Sequence, residues 1–238
     1  MRRITTALIL PALLGFAFMI QACGGEEHRA ESRGPNTALV LIGMQESYLN
    51  PDGRLPVATD QIDPTIKAAN AMIKAMRQDA LPITYVRDEF SQFDFIGGLS
   101  RNWAAMRFEA GTELISTMHD WAGPYFTKNS ANAFSNGQFT NYLEQQECGR
   151  LVIAGVLRGG SVLATTRHAL ADGYKVTVIG DAVAAPSGAA RDAALQKLRT
   201  MGAQIQTSQQ FIASLSGWNG QTTPPMAWEP PPGAPHKS

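Results

Sequence analysis

The feature that most constrains this chain is a repeated alternation, between residues 37 and 207, of short apolar runs with longer segments of helical period. Residues 37–42, 82–87, 151–156 and 175–180 are runs of strand length rich in Val, Ile and Leu, and 123–127 and 203–207 are shorter candidates. Between them, residues 60–80 place Ile62, Ile66, Ala69, Ile73 and Met76 at the one-face spacing of an amphipathic helix. Residues 138–146 and 161–171 are further helices, the second closed by Gly173. Ser187 is placed to cap a helix that runs to Met201 and stops at Gly202. Continuous apolar runs belong to strands covered on both faces, and strand–helix alternation makes those strands pair in parallel. The expectation is an α/β fold: a three-layer α/β/α sandwich around a mostly parallel sheet of five or six strands. In such sheets ligands bind beyond the carboxyl ends of the strands. The residues that follow Ile42, Val86 and Val156 are therefore the ones to inspect.

The flanks differ from this core. Arg2 and Arg3 precede an uncharged, mostly apolar stretch over residues 4–20, the order of a secretory signal peptide, assigned to residues 1–22. Its length and Pro11 argue against a permanent membrane span. Ile20-Gln21-Ala22-Cys23 resembles a bacterial lipobox. That resemblance implies cleavage before Cys23, lipidation of its sulfur, and an exported protein anchored to a bacterial membrane on the periplasmic side. Gly24, where Asp would favour inner-membrane retention, points to the outer membrane if the cell is Gram-negative. Residues 23–36 then read as the lipidated Cys and a polar tether, 37–218 as the folded domain, and 219–238 as a Pro-rich disordered tail. The chain has two cysteines, so with Cys23 lipidated Cys148 has no disulfide partner, and the fold must hold by core burial. Lys and Arg total 20 and so do Asp and Glu, which leaves no basic excess to attract nucleic acid.

The three strand ends carry motifs. Leu41-Ile42-Gly43-Met44-Gln45 resembles the Leu-Ile-Asp-Met-Gln strand of isochorismatase-like (cysteine-hydrolase-like) proteins. Phe126-Thr127-Lys128 with Ala133-Phe134 resembles that family's lysine motif. Ala154-Gly155-Val156 through Ala169, then Gly173-Tyr174-Lys175-Val176 and Gly180-Asp181-Ala182, resemble its nucleophile region and the strand after it. The resemblance implies a hydrolase in which an Asp moves protons, a Lys holds charge and a Cys attacks an amide-like carbon. Isochorismatases proper lack the Cys and use the Asp as an acid on a vinyl ether. Carried over by position, the Asp is Gly43, the Lys is Lys128 and the Cys is Ser161, so two of three are changed. The metal-binding nicotinamidases of the family place an Asp and two His after the second strand. This chain reads Val86-Arg87-Asp88-Glu89-Phe90 there, and its four His, at 28, 119, 168 and 236, are not spaced as a ligand set. Neither a metal nor another cofactor is expected.

What survives supports more than one reading. Ser161 can be a nucleophile served by Lys128 as base, with helix-end N–H groups stabilising an oxyanion, or a helix N-cap or first-turn residue beside a structural lysine. Asp88 and Glu89 end the second strand, and one of them can face the cleft and replace the missing acid, with Asp88 the candidate; Asp88 can equally pair with Arg87 or cap a turn. Glu46 is a weaker substitute, and Asp181 reads as structural. Gly43, Gln45, Leu157, Arg158, Gly159 and Gly160 are candidate substrate-binding positions. Arg158-Gly159-Gly160 before a helix either accepts an anionic group or is a turn that drifted after the Cys was lost. Val156-Leu157 matches a peptide that is often cis in the family. Cys148 precedes a strand at the end away from the site and reads as a small core residue. Phe90, Phe93, Phe95, Trp103 and Phe108 suit either an apolar lid or core packing. The expected partners are a small molecule, anionic if the Arg158 turn accepts a charge, the membrane through the lipid, and a second copy of the chain. The functional alternatives are a hydrolase with altered residues and a non-catalytic tethered binding or scaffold protein.

Overall fold

A computed structural model describes residues 33–91, 93–118 and 123–215. The signal segment, Cys23, most of the tether and the Pro-rich tail lie outside the described residues. Six strands, β1 (Asn36–Ile42), β2 (Ile83–Asp88), β3 (Tyr125–Lys128), β4 (Cys148–Val156), β5 (Lys175–Ala184) and β6 (Gln204–Gln206), form one sheet. Their order is β3-β2-β1-β4-β5-β6 and every pairing is parallel. The helices are α1 (Glu46–Leu49), α2 (Thr59–Gln78), α3 (Phe95–Ser100), α4 (Gly137–Gln145), α5 (Ser161–Ala171), α6 (Gly188–Thr200) and α7 (Ser208–Leu215).

The period of two in each strand divides the core into two layers. Leu39 and Leu41 of β1, with Val152, Ala154 and Val156 of β4, face the layer that α2 and α7 cover. Ala38, Val40 and Ile42, with Leu151 and Ile153, face the layer under α4, α5 and α6. All seven residues of β1 are buried, as expected of a central parallel strand. Ser187 caps α6 by accepting from the Ala190 N–H at 3.2 Å. Asp181 is structural: its two carboxylate oxygens accept from the N–H and hydroxyl of Ser208, both at 2.7 Å, at the start of α7.

Three details differ from the sequence reading. Strand β4 begins at Cys148, three residues earlier than its apolar run, because Asn36 and Thr37 continue to pair with Cys148 and Arg150 across a bulge. Helices α1, α3 and α7 were not anticipated; the first two are single short turns, and α3 contains Gly97 and Gly98. The Val156–Leu157 peptide is trans, as are all described peptides.

Chain order reverses between β1 and β4, and this switch point opens the crevice at the carboxyl edge. Gly155 sits there at φ 144°, with the space for a Cβ filled by the Ile42 carbonyl oxygen at 2.0 Å. Only glycine lets the two strand ends approach so closely.

Candidate active site

Asp88 ends β2 and Lys128 ends β3, and the two are register partners. Ser161 is the first residue of α5, which starts just past β4. The fold thus delivers three side chains from distant parts of the sequence to one point. Lys128 Nζ donates to Asp88 Oδ1, to Ser161 Oγ at 2.8 Å and to the Ser130 carbonyl at 3.1 Å. An ammonium has three protons, and each here has an acceptor. The cluster is dry: Asp88, Lys128 and Ser161 are 5%, 3% and 4% exposed.

The second carboxylate oxygen of Asp88 accepts from the Tyr48 hydroxyl at 3.2 Å. Burial, and then the Asp88 charge, push the Tyr48 phenol well above its ordinary range, so it remains a donor. Tyr48 was not anticipated. It lies on α1, three residues after Gln45, and only the turn of the chain past Gly43 brings it over the strand ends.

Gly43 lies beside this carboxylate. A Cβ built on it lies 3.7 Å from Asp88 Oδ2 and 3.8 Å from the Tyr48 ring. The Asp88 carboxylate, from the end of the second strand, thus stands in van der Waals range of the end of the first. Glu89, the other carboxylate at this end, turns away: it pairs with Arg107 at 2.6 Å and Arg87 at 3.5 Å. Glu46 is also engaged elsewhere, with the Ser116 N–H at 2.9 Å and Asn50 at 3.1 Å.

The substrate-binding candidates divide. Gln45 does not face a ligand. Its amide is fully buried and clamps the Asp88 backbone, donating to the Asp88 carbonyl at 2.9 Å and accepting its N–H at 2.6 Å. It is a positioning residue for the strand end, a role that its motif position did not reveal. The Leu157 N–H is held by the Ala184 carbonyl at 2.7 Å. The Arg158 guanidinium donates to the Pro56 carbonyl at 2.5 Å, while its buried Nε has no hydrogen-bond partner among the described residues. Gly159 and Gly160 adopt left-handed φ of 61° and 74°, and a Cβ on either would meet nothing within 4 Å. They serve the turn, and that turn borders open space. Ser161 is not an N-cap: the cap position is Gly160, and the Ser161 hydroxyl bonds Lys128 instead.

A cavity of about 530 Å³ lies past the ends of β2 and β3, lined by Lys128, Glu89, Phe93, Arg107, Phe108 and Asn129 among others but by neither Asp88 nor Ser161. That is within the range of small-molecule sites. The aromatic residues over this end divide. Phe90 packs partly against the core under the Arg101 guanidinium at 3.7 Å, whereas Phe93, Phe95 and Phe108 are exposed. Among the described residues no three His, Cys, Asp or Glu side chains are close enough to share a metal ion. His168 stacks on Phe134 at 4.6 Å and approaches Asp172 at 3.3 Å. Cys148 is buried at the opposite end of β4, where burial pushes its thiol up to about 12.

A parallel α/β sheet with a carboxylate, a lysine and a hydroxyl assembled at its switch point defines a class of small-molecule site. Comparison with known proteins places it more closely. The isochorismatase domain profile matches residues 37–210, and the chain belongs to that family. Similar solved structures include N-carbamoylsarcosine amidase from Thermoplasma acidophilum, at 27% identity and TM-score 0.61 over 73% of this chain and 96% of that one. An isochorismatase-like hydrolase from Alkaliphilus metalliredigens has 19% identity and TM-score 0.69, over 76% and 99%. Nicotinamidase from Bacillus subtilis has 19% identity and TM-score 0.63, over 71% and 98%. No curated protein matches the chain.

Proposed function

We propose that this isochorismatase-family protein hydrolyses a small amide or ester through Ser161, with Lys128 and Asp88 as its proton relay. The single observation that carries this reading is the unbroken chain Tyr48–Asp88–Lys128–Ser161, with Lys128 Nζ at 2.8 Å from Ser161 Oγ. That distance is within the reach a base needs. A serine hydroxyl is far less acidic than a thiol, so an adjacent positive charge is not sufficient and its proton must be taken. In the step proposed, Lys128 first gives a proton to Asp88 Oδ1; the neutral amine then turns its lone pair to Ser161 Oγ–H and takes that proton as the serine attacks. The Oγ–C bond forms and the carbonyl electron pair moves to oxygen, where N–H groups in the first turn of α5 can stabilise it. Collapse expels the amine or alcohol, which takes the proton back along the same path. Water then repeats the sequence on the acyl-serine and releases the acid.

Two further parts of the reading are supported separately. The lipobox-like Ile20-Gln21-Ala22-Cys23 supports a lipoprotein exported to the periplasmic side and anchored through Cys23. Incorporation of labelled palmitate that disappears in Cys23→Ser checks it; an unlabelled parent chain rejects it. The half-buried Arg158 before the Gly159-Gly160 turn and the start of α5 supports a substrate with an anionic substituent. Arg158→Ala should then weaken binding of anionic ligands more than of neutral ones, and equal effects reject it.

A panel of amide, ester and vinyl-ether compounds, with Lys128→Ala as control, tests the reaction class. Turnover of an amide or ester that Lys128→Ala abolishes is the expected result. The low exposure of Ser161 favours one alternative, a tethered protein that binds a small molecule without reacting. Saturable binding with no turnover across the panel selects that alternative.

A further inference from the structure

His168, two turns along α5 from Ser161, joins a hydrogen-bonded chain that ends on Lys128. Its ring stacks on Phe134, with centroids 4.6 Å apart and planes 24° from parallel. Nδ1 lies 3.2 Å from the Asn132 side-chain nitrogen, and Nε2 lies 3.3 Å from Asp172 Oδ2. Asn132 opens the 3₁₀ turn Ala133–Ser135, and its Oδ1 accepts the Phe134 N–H at 3.1 Å. That bond fixes which end of the amide faces the ring: the NH₂ donates to Nδ1. The ring is therefore the neutral tautomer with its proton on Nε2, directed at Asp172. The Asn132 main chain continues the path. Its carbonyl accepts from the hydroxyls of Ser135 at 2.7 Å and Ser130 at 3.3 Å, and its N–H donates to Ser130 Oγ at 3.3 Å. The Ser130 carbonyl in turn accepts from Lys128 Nζ at 3.1 Å.

We infer that His168 is a positioning residue for Lys128, and that a proton on its Nδ1 loosens the 130–136 turn that holds the lysine. A charged ring has a donor at both nitrogens. Nδ1–H then faces the Asn132 NH₂, or Asn132 turns over and drops the Phe134 N–H; either way the turn loses one bond. Asp172 draws the ring toward its charged form, but Asp172 Oδ2 is shared with the Arg33 guanidinium at 3.7 Å. Tyr174 packs on Phe134 at 5.8 Å and under Arg33 at 4.0 Å, and Glu144 of α4 acts on its phenol. The turn itself carries no charged residue. It keeps a second anchor, the Ala133 N–H on Thr165 Oγ1 at 3.0 Å, so it loosens without unfolding. The change in the turn stands on this geometry alone; its effect on rate rests on the hydrolytic reading.

Hydrogen exchange of the 129–137 segment in the full chain tests the turn. Rates are corrected for intrinsic pH dependence and taken relative to β1 and β4. Histidine gains its charge between pH 8 and 5, so exchange should be about three- to tenfold faster at pH 5 than at pH 8. His168→Asn puts an oxygen near the place of Nδ1 and takes no proton, so its turn should exchange slowly at both. His168→Leu packs on Phe134 without an acceptor and should exchange fast at both. Equal rates at the two pH values in the parent chain overturn the inference, and so does the same acceleration in His168→Asn. With an ester that the parent turns over, His168→Leu should lower kcat about three- to tenfold at pH 8. His168→Asn should recover most of that loss and depend less on pH than the parent. Parent-like kcat in His168→Leu overturns the link to Lys128. A parent chain without turnover but with the expected exchange rejects the hydrolytic reading and supports the role of His168 in the turn.

Discussion

Two side chains of similar size flank the same strand, one in an apolar setting and one beside a lysine. Cys148 opens β4 and Ser161 follows its other end; they are 3% and 4% exposed. Cys148 lies in the layer of Leu151, Phe139 and Tyr142, with one long contact to the Gln146 carbonyl at 3.7 Å. Ser161 touches a lysine that touches a carboxylate that touches a phenol. Burial is common to both, so burial alone does not make a nucleophile. The intrinsically better nucleophile is buried among apolar groups, and the poorer one is hydrogen-bonded to a buried lysine–carboxylate pair.

The largest expected effect is that of Lys128→Ala. It breaks the relay and leaves the Asp88 carboxylate buried without its cation, so hydrolysis should disappear and stability fall by about 3–5 kcal/mol, read by urea denaturation. Lys128→Met separates the two consequences, since it fills the space without the charge; retained hydrolysis in that variant breaks the comparison. Asp88→Asn keeps the shape and removes the proton acceptor, and kcat should fall by about 10²–10⁴. Because the Asp88 carboxylate occupies the region next to Gly43, adding Gly43→Asp to Asp88→Ala should recover about tenfold of the lost rate. Gly43→Asp alone should lower stability, through the left-handed φ of 66° and a second carboxylate beside Asp88. Tyr48→Phe removes one hydrogen bond to Asp88 and should cost about 1 kcal/mol of stability, with a smaller rate loss than Asp88→Asn.

The smallest effects belong to the other end of β4. Cys148→Ala should leave turnover unchanged. With its pKa raised from 9.0 to about 12, the folded thiol holds its proton where the unfolded one loses it. The stability this contributes is full below pH 9 and declines as pH climbs toward 12, so the parent chain should lose more stability over that window than Cys148→Ala. Alkylation of Cys148 at pH 8 should be slow until the protein unfolds.

The same contrast shows what was legible in the sequence. Strand and helix alternation marked the sheet, since apolar periodicity is local. The position-by-position resemblance led to Lys128 and Ser161, and the carboxylate after the second strand to Asp88. The pleat sends Asp88 inward and Glu89 to Arg87 and Arg107. Tyr48 and the clamp of Gln45 on Asp88 were hidden because both contacts span about forty residues and depend on the turn at Gly43. Helix α3 was hidden for another reason. Its apolar residues cover no core of their own chain, and Gly97-Gly98 weakens the helical signal.

The relay at Ser161 is tested most directly by trapping its acyl form. After brief exposure of the full chain to p-nitrophenyl acetate, intact mass and peptide mapping should find one acetyl group on Ser161, absent from Ser161→Ala and Lys128→Ala and unchanged in Cys148→Ala. An acetyl group that persists in Ser161→Ala, or none in the parent chain under conditions where it turns over an ester, would contradict the account.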